Sequence, residues 1–263
     1  MPEASIEHTV NAARYNLRDY GGYAALGGGR LRTGGLFRSG QLDSTGAPEA
    51  GLLQRLGLGV IIDLRGSAEL GGEVSPAFEG FAGKVLCAKV PDNLVPHSME
   101  HLISVQSADE VAAQMTSVYR KLPYSGHFRE ALTNYLDALD GSHAHAGQGT
   151  LIHCFAGKDR TGIAVGLFLD TAGVHPDDIY ADYLATNAMG EERIALGLPQ
   201  LSHRAGGRAE EWVLREVLAV RPDYLAAMFD AVTKRSGDPL TFLAEATGRT
   251  PAQVTAIAER WID

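Results

Sequence analysis

Apolar positions along this chain follow two different periods. Three short runs are apolar almost without interruption and rich in β-branched residues: 59–65 (GVIIDLR), 85–90 (VLCAKV) and 150–154 (TLIHC). Such runs predict strands buried inside a sheet. Elsewhere the spacing is helical. Phe128, Ala131, Leu132, Tyr135, Leu136 and Leu139 recur at i, i+3, i+4, i+7, i+8 and i+11, the stripe of an amphipathic helix. Residues 47–57 predict another helix, with Pro48 in its first turn, Leu52, Leu53 and Leu56 on one face, and Gly57 at its end. Residues 160–173 (RTGIAVGLFLDTAG) are apolar nearly all round, as a helix inside a core would be. A further helix follows with Pro176, Asp177 and Asp178 in its first turn. Residues 190–235 mix charges with leucines, Trp212 and Val213, which predicts two or three amphipathic helices. Two capped helices close the chain: Asp238 precedes Pro239, and Thr250 and Gln253 form a capping box around Pro251. The glycine-rich start (NLRDYGGYAALGGGRLRTGGLFRS) predicts turns and short hairpin-like strands. Alternating strands and helices predict an α/β fold, a central, mostly parallel sheet flanked by helices. Residues 1–190 form the expected core. Residues 190–263 form a helical lobe packed on it, the boundary falling near 189–198.

Composition narrows the function. A net charge of −9 over 263 residues argues against a general nucleic-acid or anionic-membrane binder. Two cysteines, Cys87 and Cys154, are too few for a disulfide framework and suit a reducing compartment. The first residues lack the basic and apolar regions of a secretory leader. No apolar run reaches the roughly 18 residues of a membrane helix. The expectation is a cytoplasmic protein with no stable membrane insertion, export without a standard signal being left open.

The chemistry concentrates in HCFAGKDRTG, His153 to Gly162. It lies where a predicted buried strand passes into a predicted core helix. Backbone N–H groups of such a turn, with the positive end of the helix, bind an anion. The same field favours a thiolate, so Cys154 reads as a nucleophile. The five residues between Cys154 and Arg160 allow Phe155, Ala156, Gly157, Lys158, Asp159 and Arg160 to curl around one tetrahedral anion. Arg160 can then grip two phosphoryl oxygens with its planar fork. Asp159 is the natural proton donor to a departing oxygen, favoured by burial and a bound phosphate and opposed by its cationic neighbours. Lys158 adds a cation at the mouth, suited to substrates with more than one phosphate. Thr161 offers a hydroxyl to the sulfur, and His153 orders the loop. The arrangement implies metal- and cofactor-free hydrolysis of phosphate monoesters in two steps through a cysteinyl-phosphate.

HCxxGxxRTG resembles the signature of cysteine-dependent protein tyrosine phosphatases. The fuller HCFAGKDRTG is similar to their bacterial branch with dual or triple specificity, acting on phosphotyrosine, phosphoserine/threonine and phosphoinositides. NLRDYGGY (16–23), LFRSGQL (36–42), IIDLRGSAE (61–69), VPDN (90–93) and DYLATN (182–187) occur in the order of that branch. The resemblance implies a phosphatase fold over roughly residues 10–190, a helical lid over the pocket at 190–220, a phosphorylated protein or phosphoinositide as substrate, and inorganic phosphate as product. It also offers a second acid. Classical members carry an aspartate after a Trp-Pro pair, and here Asp92 follows a proline without the tryptophan. Asp159 is preferred.

Other readings are weaker. His97, Glu100 and His101 match the H-x-x-E-H spacing of a zinc peptidase, but the flanking sequence is not that of a core helix. A catalytically silent phosphate-binding module of the same fold is opposed by the intact Cys154, Asp159 and Arg160. Cys87 reads as a core thiol, and His143 and His145 as solvated loop residues. Arg38, Asp63, Arg65 and Glu69 read first as structural ion pairs and second as groups shaping the pocket. Tyr119, Tyr124 and Tyr135 read as packing residues.

Overall fold

Strand β5 (Gly149–His153) is buried along its whole length, because it is the middle of a five-stranded sheet of order β1-β2-β5-β3-β4. The computed structural model describes residues 12–42, 52–66, 69, 78, 80–91, 105–142 and 148–263. Around β5, strands β2 (Leu36–Ser39) and β3 (Leu58–Asp63) pair parallel to it, and β4 (Lys84–Cys87) pairs parallel to β3. The two-residue strand β1 (Arg18–Asp19) pairs antiparallel to β2, as a short hairpin-like pairing requires. The sheet is therefore mostly parallel.

Alternation along the strands sends side chains to two cores. Val60, Ile62, Leu36 and Ile152 face the larger one, and Leu58, Ile61, Phe37 and Leu151 face the smaller. Leu58 and Val60 are both even-numbered yet face opposite ways. A register shift between them explains this, since Gly59 is the extra residue of a bulge. A side chain at Gly59 would meet Gln148 Oε1 at 2.4 Å.

Helix α1 (Leu52–Arg55) is the described part of the helix expected over 47–57. Helix α2 (Ala108–Lys121) was not expected; Ser107 Oγ caps it by accepting from Glu110 N at 3.2 Å. A 3-10 turn (Leu122–Tyr124) leads into α3 (Gly126–Leu139), which buries the whole expected stripe from Phe128 to Leu139. Helix α4 (Asp159–Thr171) is buried from Asp159 to Leu169, as its all-round apolar sequence demands. Helix α5 (Pro176–Ala188) starts at Pro176.

The region 190–235 forms three helices: α6 (Gly190–Arg204), α7 (Glu211–Leu218) and α8 (Pro222–Ser236). Both tail helices, α9 (Pro239–Thr247) and α10 (Pro251–Glu259), start at the expected caps, and both halves of the Thr250–Gln253 capping box are made. Helix α7 buries Val213, Leu214, Val217 and Leu218 in the larger core. Each such side chain contributes roughly 1.5–3 kcal/mol against exposure, which holds α7 against the larger core. Among the described residues, no helix is long and apolar enough to cross a membrane.

The structure corrects one strand. The run 85–90 is an edge strand spanning Lys84–Cys87 and only partly buried, so Cys87 is a half-buried thiol and not a core one. An edge strand has one neighbour to cover it, whereas β3 and β5 have two. Burial, then the nearby Asp63 charge, raise the Cys87 pKa to about 11.

Candidate active site

The link from β5 to α4, Cys154 to Lys158, forms a loop held from outside. It turns at Gly157, whose φ of +67° lies in the left-handed region. A Cβ there would stand 2.4 Å from Gly40 N and 2.5 Å from Ser39 C and O, so only glycine fits against that backbone. Three successive carbonyls are drawn outward. Phe155 O accepts from Gln41 N at 2.9 Å. Ala156 O accepts from Asn16 Nδ2 at 3.2 Å. Gly157 O accepts from the same Asn16 Nδ2 at 3.0 Å and from Arg38 Nη2 at 2.9 Å. In a trans peptide the N–H points opposite to the carbonyl, so the N–H groups of Ala156, Gly157 and Lys158 face into the loop. Helix α4 begins there with no side-chain cap, and its first amides add their partial positive charge. Inward amides at the start of a helix can together hold an anion, and Cys154, the first residue of this loop, is only 3% exposed.

The supports are themselves fixed. Asn16 is buried, takes a φ of 54° that asparagine tolerates, and accepts from Arg18 Nη1 through its Oδ1 at 2.5 Å. Arg18 Nε and Arg38 Nη1 donate to the two oxygens of Asp182, the first at 3.0 Å. Burial alone would raise the Asp182 carboxyl. Arg38 and Arg18 outweigh it and hold the pKa below the ordinary range. Burial, helped by Arg38, lowers the Arg18 pKa to about 10.

A tyrosine phosphatase family profile matches residues 11–263. The chain belongs to the tyrosine phosphatase family. It is 33% identical to a provisionally named tyrosine-protein phosphatase of Cupriavidus necator over 247 residues, 91% of this chain and 84% of that protein. It is 30% identical to the triple specificity protein phosphatase PtpB of Mycobacterium tuberculosis over 268 residues, 88% of this chain and 91% of that one.

In this phosphatase the expected site residues fall as follows. Asp159 is buried at the start of α4. Its Oδ1 accepts from the Tyr119 hydroxyl at 2.7 Å and lies 3.1 Å from Lys158 Nζ. Tyr119 is thus more than a packing residue, and its hydroxyl is also 2.7 Å from that of Tyr183. The Tyr135 hydroxyl is 2.7 Å from that of Tyr20, away from this group.

Lys158 does not stand at an open mouth. It is fully buried, and its Nζ donates to Ala219 O, just beyond α7, at 3.1 Å. The helices 190–218 cover it, and burial lowers its pKa although Asp159 pulls the other way. Both terminal nitrogens of Arg160 meet the Glu69 carboxylate, Nη2 at 2.9 Å from Oε1, and Nη1 also donates to Leu64 O at 3.1 Å. Glu69 therefore reaches the loop arginine directly. Thr161 Oγ1 is buried and has no hydrogen-bond partner among the described residues, so its bond to the sulfur is not made here.

His153 is buried, edge-on to Phe78 with ring centroids 5.3 Å apart, and its Nε2 is 3.5 Å from Asp63 Oδ2. Arg65 Nη2 donates to the same oxygen at 2.7 Å. Burial works to raise the Asp63 carboxyl, but His153 and Arg65 prevail and lower it. Asp92, His97, Glu100, His101, His143 and His145 lie outside the described residues. Among the described residues no group of acidic, histidine and cysteine side chains is placed to hold a metal. The residues that the sequence did not single out are Asn16, Arg18, Gln41, Asp182, Tyr183 and Arg193. All but Arg193 stand in quoted motif segments, yet only the fold shows what they hold.

Proposed function

We propose that this protein tyrosine phosphatase hydrolyses phosphate monoesters by covalent catalysis at Cys154, needing no metal, and that it accepts phosphoinositides besides phosphorylated proteins. The observation that carries the reading is the loop of outward carbonyls and inward amides closed on Cys154 at the start of an uncapped helix. It presents hydrogen-bond donors and positive field to three phosphoryl oxygens, the charge stabilisation that this reaction requires.

The Cys154 thiolate attacks phosphorus, forming an S–P bond as the ester P–O bond breaks. Asp159 gives its proton to the departing oxygen. The resulting Asp159 carboxylate takes a proton from water as the water oxygen attacks phosphorus. The S–P bond then breaks, inorganic phosphate leaves and the thiolate returns. Arg160 holds two phosphoryl oxygens, turning from or sharing its hold on Glu69. Thr161, whose hydroxyl is uncommitted, donates to the sulfur as it leaves. His153 and Asp63 order the strand end beneath the loop. Asp92 is the reserve acid. Residues 190–220 serve as a helical lid on the core formed by residues 1–190, since they cover Lys158. Lys158 meets phosphorylated lipid head groups when the lid lifts. Two cysteines and a net charge of −9 suit a reducing, cytoplasmic setting.

The test is phosphate release from p-nitrophenyl phosphate in excess EDTA, with mass analysis of the protein quenched in acid during turnover. The expected result is activity in the wild type, a phosphorylated Cys154 peptide, and neither in Cys154→Ser. Activity that survives in Cys154→Ser, or that EDTA removes, would overturn the reading.

A further inference from the structure

Helix α7 ends at Leu218, and the chain crosses to α8 through an extended connector, Ala219 having φ −74° and ψ 161°. The last carbonyls of a helix have no partner inside it and are ordinarily met by a cap or by water. Here three successive carbonyls are each held by a side chain from a different element. Leu218 O accepts from Arg193 Nη2 of α6 at 2.8 Å. Ala219 O accepts from Lys158 Nζ of the catalytic loop at 3.1 Å. Val220 O accepts from Asn187 Nδ2, in the last turn of α5, at 2.8 Å, and Val220 N donates back to Asn187 Oδ1 at 3.0 Å. Asn187 is itself exposed, so it fills no core; what its two bonds do is fix the connector.

The middle strap reaches the proposed acid. Lys158 is fully buried, and its Nζ lies 3.1 Å from Asp159 Oδ1 while it donates to Ala219 O. A buried ammonium is tolerated only when its hydrogens are matched, and Ala219 O supplies one of the matches. An opposite charge this close favours the carboxylate form of its neighbour. Tyr119 of α2 donates to the same Oδ1, with Tyr183 of α5 and Tyr224 of α8 against its ring. Burial holds all three hydroxyls above their ordinary 10, Tyr224 at about 12, so they stay protonated through the neutral range. Arg193 acts by charge on both Lys158 and Asp159, and Cys154 on Lys158. Arg160, next in sequence, turns to Glu69. The first chemical step needs Asp159 protonated, the opposite of what Lys158 favours from this position.

We propose that Asn187 is a positioning residue: by fixing the connector it holds Lys158 on Asp159 and keeps that carboxyl ionised, and a connector lifted by entering substrate frees the ammonium, so that Asp159 takes from solvent the proton that the first step donates. The inference rests on the phosphatase reading above and deepens it, assigning the regulation of the same site. Once the ester bond has broken, the returning connector again favours the carboxylate, the form that draws a proton from the attacking water.

The experiment measures kcat/KM for phenyl phosphate between about pH 4.5 and 9, whose basic limb reports the acid of the free enzyme. Wild type, Asn187→Ala, Lys158→Met, Lys158→Arg and Asp159→Asn are compared, with thermal unfolding of each. The limb is expected in the wild type and not in Asp159→Asn. It moves to higher pH by about 1–3 pH units in Lys158→Met, as loss of an adjacent opposite charge requires. It moves the same way by about half a pH unit or more in Asn187→Ala, because an untethered ammonium meets solvent and acts on Asp159 through a higher dielectric. It keeps the wild-type position in Lys158→Arg, which retains the charge. A limb that stays put or moves down in Lys158→Met overturns the proposal. So does a limb lost in Lys158→Arg, since it is then the lysine's own. A limb unmoved in folded Asn187→Ala overturns the role of the connector. A limb that survives in Asp159→Asn removes Asp159 as the acid and the proposal with it; Cys154→Ser, inactive on the same substrate, keeps that failure separate from failure of thiolate catalysis. Should Lys158→Met unfold, Asn187→Ala, at its exposed position, decides alone.

Discussion

Tyr119→Phe probes the setting of the proposed acid while leaving every reacting atom in place. The hydroxyl donates to Asp159 Oδ1 at 2.7 Å and stands 2.7 Å from the Tyr183 hydroxyl. The ring is fully buried, edge-on to Tyr183 with centroids 6.2 Å apart and tilted against Tyr224 at 5.5 Å, so phenylalanine keeps the packing. Burial first, then the Asp159 charge, push the Tyr119 hydroxyl well above 10, and it stays a donor throughout the neutral range. A hydrogen bond to a charged group contributes about 1.5–3 kcal/mol. Expressed wholly in the proton-transfer step, that is roughly 10- to 150-fold in rate. Stability falls by about 1–2 kcal/mol, because the Tyr183 hydroxyl loses a partner. The assay is kcat for phenyl phosphate beside p-nitrophenyl phosphate. Phenolate needs a proton to leave, whereas nitrophenolate leaves nearly unaided. The phenyl phosphate rate should fall by up to the full factor and the p-nitrophenyl phosphate rate by less than about threefold. Equal losses on both substrates would refute the reasoning, since they would mean that the loop itself had moved. No loss on either would show that Tyr119 does not position Asp159.

Three further outcomes follow from the same geometry. Gly157→Ala forces a Cβ into the backbone of Ser39 and Gly40 at a left-handed φ; the expected cost is about 2–5 kcal/mol in urea unfolding with loss of phosphate binding, and a cost under about 0.5 kcal/mol with full activity would contradict the loop geometry. Asp182 has its folded pKa held below the ordinary value of 3.8 by Arg38 and Arg18, so its contribution is complete above that value and drains away as pH falls below it. Asp182→Asn should be less stable than wild type at pH 7, with the gap closing below about pH 4; a gap independent of pH would remove the ion pair from the account. Glu69→Gln takes a negative charge from Arg160 and should tighten competitive inhibition by inorganic phosphate about three- to tenfold while lowering kcat; an unchanged or weaker inhibition constant would show that Glu69 does not compete for the guanidinium.

What could be read from the sequence, and what could not, divides by distance along the chain. Strands β3 and β5 and helix α4 were legible because burial on all sides leaves a continuous apolar run. Helix α2 was not, because it buries only Val111, Met115 and Tyr119 among alanines and polar residues, too thin a stripe to stand out. The turn from β5 into α4 was legible because its residues are consecutive. Its supports were not: Asn16 lies 141 residues from the Gly157 carbonyl that it holds, and Tyr119 lies 40 residues from Asp159.

Lys158 shows what this division means for function. Read locally, it is a cation beside an arginine at the edge of a phosphate loop, free to meet a second phosphate. In the fold its ammonium is fully buried between Asp159 and the carbonyl of Ala219, 61 residues further on. Burial disfavours its charged form and Asp159 restores part of it, and the ammonium is committed to Asp159 and to the carbonyl that follows α7. Any substrate that uses Lys158 must first break its bond to Ala219 and expose part of the apolar face of α7.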